Sequence, residues 1–387
     1  MSQSSDRVGL MKPSAIRRML ECSAGMENLI HLEQGEPDFV TPKHIVEAAV
    51  KAARSGFTHY TETDGTLELR QAVADKLRNE NNIDVDEKTE VTITSGSQEA
   101  MLITALGFLN RGDEALILDP YYPAYFEDTL IAEGLPVTVP SDESGEHYVE
   151  VEALEERISE KTKIIWMCNP SNPTGHVFSR RELENIAQLA QEHNLIVFAD
   201  EIYEKLVYDG AEHISISCLP GMEERTITVN GFSKAYAMTG WRIGYIAAEK
   251  KLSATLRKLH YYAALCPNAI SQKAAVAALT GPQDCVQEML GEYGRRRKLV
   301  IDELKMIESL PFKVPKGAFY VFPNFSIFER SDEALALRLL NEVGVVTVPG
   351  SGFGRVGEGH LRISYSISYD QVKEGMKRIR TCIRRKA

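Results

Sequence analysis

Between residues 91 and 231 short apolar segments alternate with segments of helical period, and few folds accommodate that order. VTITSG, EALILDP, GLPVTVP, KIIWMCNP, LIVFADE and RTITVN are rich in β-formers and most end in small or turn-forming residues. QEAMLITALGFL, VEALEERISE and SRRELENIAQLAQEHN carry apolar residues at helical spacing. The runs 163–167 and 195–199 are apolar almost without a break, as strands covered on both faces are. A mostly parallel α/β sheet is expected. Ligands of such sheets sit at the carboxyl ends of the strands, so loops far apart in the chain converge there.

The flanks read differently. A short helix is expected over 12–27, a strand passing into a Gly/Pro loop over 31–42, a helix from Pro42 to Gly56, an extended loop over 57–65, and a further helix through TLELRQAVADKLRNENN. After a break near 281, a long helix over 283–309 leads to a strand over 318–323. A helix, two strands and a closing helix follow, an α+β pattern. The expected organisation is an N-terminal arm joining part of a small domain (1–42), a large domain (43–282) and a small C-terminal domain (283–387).

With 387 residues, 43% of them hydrophobic, the chain is long enough for two domains. A net charge of −11 argues against a general nucleic-acid or anionic-membrane binder, while leaving small anions possible where arginines gather in a cleft. The six cysteines are scattered without a C-x-x-C pair and read as free thiols in a reducing compartment. The polar N-terminus has no apolar signal core and no run of 18 apolar residues occurs, so a soluble cytoplasmic protein is expected. Metal ligation is not expected, because no H-x-x-x-H pair or Cys/His cluster of recognised spacing is present. GFGRVG at 352–357 satisfies G-x-G-x-x-G but runs on into a strand, which disfavours a Rossmann site. Arg295-Arg296-Arg297-Lys298 is expected to be the solvated face of a helix.

Four strand-end loops and two later segments carry chemistry. In SGSQEA, the N–H groups around Gly96, Ser97 and Gln98 suit either a phosphate at a helix start or a turn that Ser97 caps. DPYYPAY places Tyr121, Tyr122 and Tyr125 just past a strand, for stacking on a flat ring or for plain packing. In NPSNPTG, Asn172 offers a donor and an acceptor on a rigid turn. In FADEIYEKL, Asp200 needs a donor or cation, which a helix N-cap or a protonated heterocycle would supply. VNGFSKAYAMTGWRIGY surrounds Lys234 with apolar side chains that favour its neutral, nucleophilic amine, and Arg242 follows as an anion clamp. Arg362, inside LRISYSIS, is a charge in a strand, either exposed or paired with an anion such as a substrate carboxylate. A lysine, an arginine, a phosphate-compatible helix start, a strand-end aspartate and an aromatic platform together match the needs of pyridoxal 5′-phosphate.

On EPDF (36–39), NPSNPTG (169–175), DEIY (200–203) and SKAYAMTGWRIGY (233–245), the chain resembles the fold-type I pyridoxal-phosphate-dependent class I/II aminotransferases, in particular their aspartate/aromatic branch. The resemblance spans roughly residues 32–379. It implies a mainly parallel seven-stranded sheet in the large domain, a smaller α+β domain, and a homodimer with shared active sites. It also implies residue roles. Lys234 would be the Schiff-base lysine, and Asp200 the partner of the pyridine nitrogen. Tyr203 and Asn172 would bond the phenolic oxygen, with Asn172 also near the substrate carboxylate. Arg242 and the Gly96, Ser97 and Gln98 backbone would hold the phosphate, and Tyr122 would stack on the ring. Tyr60 would reach the neighbouring subunit's phosphate. Arg362 would grip the substrate carboxylate, with Gly35 lining the cleft.

The sequence departs from the family at Gly231, where many relatives carry a phosphate-binding serine. It departs again at Gln98, where an aspartate-preferring branch carries a lysine; an amide makes no ion pair, so strict aspartate specificity does not follow. The expected activity is ping-pong transfer of an amino group from aspartate, an aromatic or another hydrophobic L-amino acid to a 2-oxo acid such as 2-oxoglutarate. The rivals are a pyridoxal-phosphate C–S β-lyase of the same fold and a non-catalytic cofactor-binding regulator.

Overall fold

The computed structural model describes residues 4–141 and 150–384; the first three residues of the polar N-terminus and the last three of the chain lie outside the described residues. Two helices, Asp6–Leu10 and Ala15–Ser23, precede β1 (Ile30–His31). The alternating region then forms β2 (Val91–Thr94), β3 (Glu114–Asp119), β4 (Leu135–Pro140), β5 (Thr162–Cys168), β6 (Ile196–Asp200), β7 (Thr226–Gly231) and β8 (Gly244–Ala248). These make one seven-stranded sheet in the order β2-β8-β7-β6-β5-β3-β4. Every pairing is parallel except the two made by β8. The fold is the α/β architecture of fold type I.

Side chains two apart on a strand share a face, and here both faces are covered. Ile164, Trp166, Phe198, Ile227 and Val229 form one cluster with Ala100, Met101 and Ile103 of helix Ser97–Phe108 and Leu256 of helix Lys250–Ala264. Ile165, Met167, Val197 and Ala199 form another with Leu183, Ile186 and Ala190 of helix Arg180–Glu192. Burying each large apolar side chain contributes about 1.5–3 kcal/mol. A one-residue slip would exchange the two sets, so the register is strongly fixed.

The remaining strands are short: β9 (Tyr320–Val321), β10 (Val345–Val346), β11 (Val348–Pro349) and β12 (Leu361–Ser364). β1 pairs parallel with β10, and β11-β12-β9 form an antiparallel sheet. Leu32 N–H donates to the Val346 carbonyl and Ser364 N–H to the Leu32 carbonyl, which seats residues 31–38 against the C-terminal strands. Helices Asp284–Lys305, Asp332–Val343 and Tyr369–Arg384 complete this region.

Several expectations change. The strand expected over 318–323 shrinks to Tyr320–Val321: before it Ala318 takes a positive φ of 56°, and after it Pro323 has no N–H to give a ladder. The helix through TLELRQAVADKLRNENN is α-helical only over Leu67–Lys76 and widens to a π-helix at Leu77–Asn81. The basic run is not a solvated face throughout. Arg295 and Lys298 are exposed, but Arg296 and Arg297 are buried. Arg296 Nη1 donates to Asp38 Oδ1 at 2.8 Å and to the Ser366 carbonyl at 3.0 Å. Arg297 Nε donates to the Pro315 carbonyl at 2.6 Å and Nη2 to Asp209 Oδ2 at 2.5 Å. Successive helical positions are about 100° apart, so four in a row spread around most of the helix and one face cannot hold them all. Among the described residues, no helix is long and apolar enough to cross a membrane.

Candidate active site

The site begins at the end of β6. Alternation puts Asp200 on the face of Phe198, at 3% exposure. Its Oδ1 accepts from Ile202 N–H at 3.2 Å and its Oδ2 from the Tyr125 hydroxyl at 2.8 Å. Burial pushes the carboxyl up to about 6, against the pull of these two donors and of Lys234.

Lys234 lies in the loop after β7, partly buried, and its Nζ donates to the Gly35 carbonyl at 2.5 Å. Gly35 is held there by its neighbours: Trp241 Nε1 donates to Thr41 Oγ1 at 2.9 Å, that hydroxyl donates to the Ala237 carbonyl at 2.7 Å, and Thr239 contacts Glu36. Burial, and then the charge of Arg362, lower the ammonium to about 8; Asp200 and Glu36 oppose the shift. About a tenth of this amine is therefore neutral at pH 7, far more than of a solvated lysine.

Arg242 takes φ +50° and its Nη1 donates to the Thr239 carbonyl at 2.9 Å. Its guanidinium sits against Gly96, where a Cβ would lie 2.6 Å from Nη2. Gly96, at φ +85°, is the N-cap of helix Ser97–Phe108, and no side chain caps that helix. Ser97 is thus the first helical residue and not a cap. Gln98 Oε1 accepts from the half-buried Tyr122 hydroxyl at 3.3 Å.

Arg362, on β12, is 1% exposed, so its alternative as an exposed charge is removed. Nη1 donates to Asn172 Oδ1 at 3.1 Å and Nη2 to the Glu33 carbonyl at 2.6 Å, while Nε is buried without a partner. The guanidinium stands over the rings of Tyr320 and Phe353, 4.4 and 4.8 Å from their centroids. The Tyr203 and Tyr320 hydroxyls are 2.8 Å apart, and a Cβ on Gly35 would lie 2.6 Å from the Tyr320 hydroxyl. Residues from 35 to 362 therefore meet in one cleft. Tyr60 stands apart, 82% exposed.

A profile of the family described as "Aminotransferase class I and II" matches residues 27–379. The chain belongs to the class I and II aminotransferases. It is 44% identical over 384 residues to an aspartate aminotransferase of Pyrococcus abyssi, covering 99% of this chain and 98% of that one. It is 43% identical over 384 residues to aromatic-amino-acid aminotransferase 2 of Thermococcus litoralis, with the same coverage. The crystal structure of an aromatic aminotransferase from Pyrococcus horikoshii superposes with a TM-score of 0.90 at 42% identity, covering 96% of this chain and 99% of that one. This is an enzyme of the aspartate/aromatic branch of fold type I, acting on amino acids and 2-oxo acids.

An aminotransferase of this family implies pyridoxal phosphate, and the donor set fits that group. Gly96 leaves backbone open beside Arg242 where any side chain would collide, as close approach to a phosphate requires. Arg362 Nε keeps a buried donor free for an anion, and Lys234 offers an amine of lowered basicity beside a buried carboxylate.

Nothing in the sequence marks Tyr125 and Tyr320 as members of this aminotransferase's site, although Tyr125 lies in an aromatic strand-end loop. A grouping that ligand-spacing rules miss also appears. Glu201, Glu204 and His213 bring ligand atoms within 4.8 Å of one another. Both Glu204 oxygens are already held, Oε2 by Asn81 Nδ2 at 2.7 Å and Oε1 by the buried Lys76 ammonium, so the group is a charge network.

Proposed function

We propose that this enzyme transfers the amino group of aspartate, an aromatic or another hydrophobic L-amino acid to 2-oxoglutarate in a ping-pong cycle. The observation that carries the reading is the Lys234 amine, lowered in basicity and held between the Gly35 carbonyl, Asp200 and Arg362. Pyridoxal phosphate, when bound, supplies the electron sink that stabilises a carbanion at the substrate Cα. In this reading Lys234 would hold the cofactor through its amine and would be the base that takes the proton from the substrate Cα. Asp200 pairs with the ring nitrogen, and Tyr203 and Asn172 donate to the phenolic oxygen. Arg242 and the N–H groups at Gly96, Ser97 and Gln98 hold the phosphate, and Tyr122 stacks on the ring. Arg362 fixes the substrate carboxylate beside Asn172 and Gly35, orienting the Cα–H bond.

An aromatic or other hydrophobic donor is supported by the cavity of about 960 Å³ that opens beside Gln98 and Tyr122. Its lining mixes Tyr121, Phe126 and Ile16 with Arg17 and Arg18, which Glu21 and Glu333 of the same lining already pair, so it suits flat apolar side chains better than a second carboxylate. Relatives named for aspartate as well as for aromatic amino acids support the wider donor range. A homodimer is part of the proposal, with Tyr60 serving the neighbouring subunit's phosphate; its exposure supports that. A cytoplasmic site is in keeping with six free cysteines.

A spectroscopic half-reaction screen across the common amino acids, followed by an oxo-acid screen with product identification, tests the reading. The expected result is conversion of donor to its 2-oxo acid only in step with amination of an acceptor. Release of ammonia or a thiol with no acceptor present would make the chain a lyase instead.

A further inference from the structure

Of the three tyrosines in the DPYYPAY loop, Tyr121 and Tyr122 are half-buried and Tyr125 is buried, at 1% exposure. A phenol in a core is costly unless its hydroxyl is bonded. Here the hydroxyl donates to Asp200 Oδ2 at 2.8 Å, against 3.2 Å for the Ile202 N–H on Oδ1, so it is the shorter of the two contacts on that carboxylate. The ring cannot swing away. It stacks on Trp166 with centroids 5.5 Å apart and planes 12° from parallel, and lies 6.2 Å from the Phe198 ring, both partners being fully buried.

We infer that Tyr125 is the positioning residue for Asp200, holding its carboxylate aimed and anionic through this hydrogen bond. The inference rests on the proposal that Asp200 partners the cofactor's ring nitrogen. An anion that must face a protonated ring nitrogen from inside a core needs a fixed donor on its other flank, and Tyr125 supplies one on a rigid aromatic stack.

The groups that face Asp200 come from four directions. Tyr125 and Tyr122 stand at the helix beginning at Ala124, Cys168 at the end of β5, Lys234 in the loop after β7, and Glu201 next in the chain. Burial pushes the Tyr125 phenol and the Cys168 thiol far up, so both stay neutral and Tyr125 remains a donor throughout the working range. Lys234 and the two donors pull Asp200 down against burial. Taking the phenol away raises the carboxyl further. Because the acting form is the anion, the acid limb of activity then moves to higher pH.

The test is Tyr125→Phe in the full-length holoenzyme, alongside Asp200→Asn. In Tyr125→Phe the acid limb of the half-reaction is expected to move up by about one pH unit, the worth of one hydrogen bond to a charged group. The half-reaction rate at pH 7 falls about three- to tenfold while KM for the amino acid barely changes. Equilibrium dialysis of the apoprotein gives a dissociation constant for pyridoxal phosphate about tenfold higher. A fluorotyrosine placed at 125, close in shape and a stronger donor, moves the limb the opposite way. If the limb stays put in both 125 variants while Asp200→Asn still impairs the reaction, Tyr125 is packing and the inference is overturned, whatever happens to Tm. If Asp200→Asn behaves as wild type, the underlying reading of Asp200 fails instead.

Discussion

Lys234 owes its lowered basicity to position. Its amine is held by one carbonyl, flanked by two arginines, and removed from enough water to fall to about 8. The sign of the pH dependence follows. The neutral fraction grows as pH rises through about 8, whereas a solvated lysine would wait until about 10.4. The rate at which the apoprotein loads pyridoxal phosphate is therefore expected to climb between about pH 7 and pH 9 and then level. A stopped-flow profile still rising steeply above pH 10 would show an unperturbed amine. Asp200, Asn172, Lys234, Arg242 and Arg362 stand out in the sequence because each is a polar residue where an apolar strand or rigid turn makes it costly. Tyr125 and Tyr320 do not. Their meaning lies in partners 75 and 117 residues away, Asp200 and Tyr203, and a buried tyrosine in an aromatic segment looks like core until that partner is seen.

At the level of elements, the alternating region was legible because its central strands bury both faces, the edge strand Leu135–Pro140 being the half-exposed exception. That pattern fails elsewhere. Helices Lys250–Ala264 and Ala269–Thr280 had no sequence expectation; the second buries Gln272 beside Ala274, Ala275 and Ala278 and shows no clean apolar stripe. The two-residue strands β9, β10 and β11 are too short for any period to register. Nor could composition say which arginines of 295–297 turn inward. Helix Asp284–Lys305 uses Arg296 to tie residues 38 and 366 together, bridging the N-terminal arm and the closing strands. Arg296→Ala would leave Asp38 without its cationic partner, whereas Glu292 keeps Arg295 and the Ser366 carbonyl keeps the Asp38 N–H. A loss of about 1.5–3 kcal/mol is expected, the worth of a charged hydrogen bond, because Arg296 is buried but the Asp38 side chain is 28% exposed. Arg295→Ala, on the exposed face, should stay within about 0.5 kcal/mol of wild type. Urea denaturation of the two variants checks this, and equal midpoints would contradict the assignment of Arg296 as a structural tie.

At the scale of the molecule, we propose domain boundaries near 42 and 282, with the N-terminal arm joined to the C-terminal region through the β1–β10 pairing and the Arg296 tie. Opening between the two units would move Arg362, Gly35 and the cavity lining relative to Asp200. The proposed dimer makes its own prediction. Chains carrying Tyr60→Ala and Lys234→Ala are each expected to be deficient, yet mixing them with subunit exchange should restore activity at limiting cofactor, because one site per hybrid then has an intact lysine and an intact neighbour's Tyr60. No recovery, with hybrids verified by sedimentation and mass, would mean that Tyr60 serves its own chain or none. The central claim is that one lysine at the end of this sheet carries amino-group transfer. It is tested most directly by following ¹⁵N from a labelled amino donor in the presence of 2-oxoglutarate. The label is expected in glutamate with the wild-type chain, and glutamate formation should vanish with Lys234→Ala even when that variant still binds pyridoxal phosphate. Label transferred at the wild-type rate by Lys234→Ala would contradict the account.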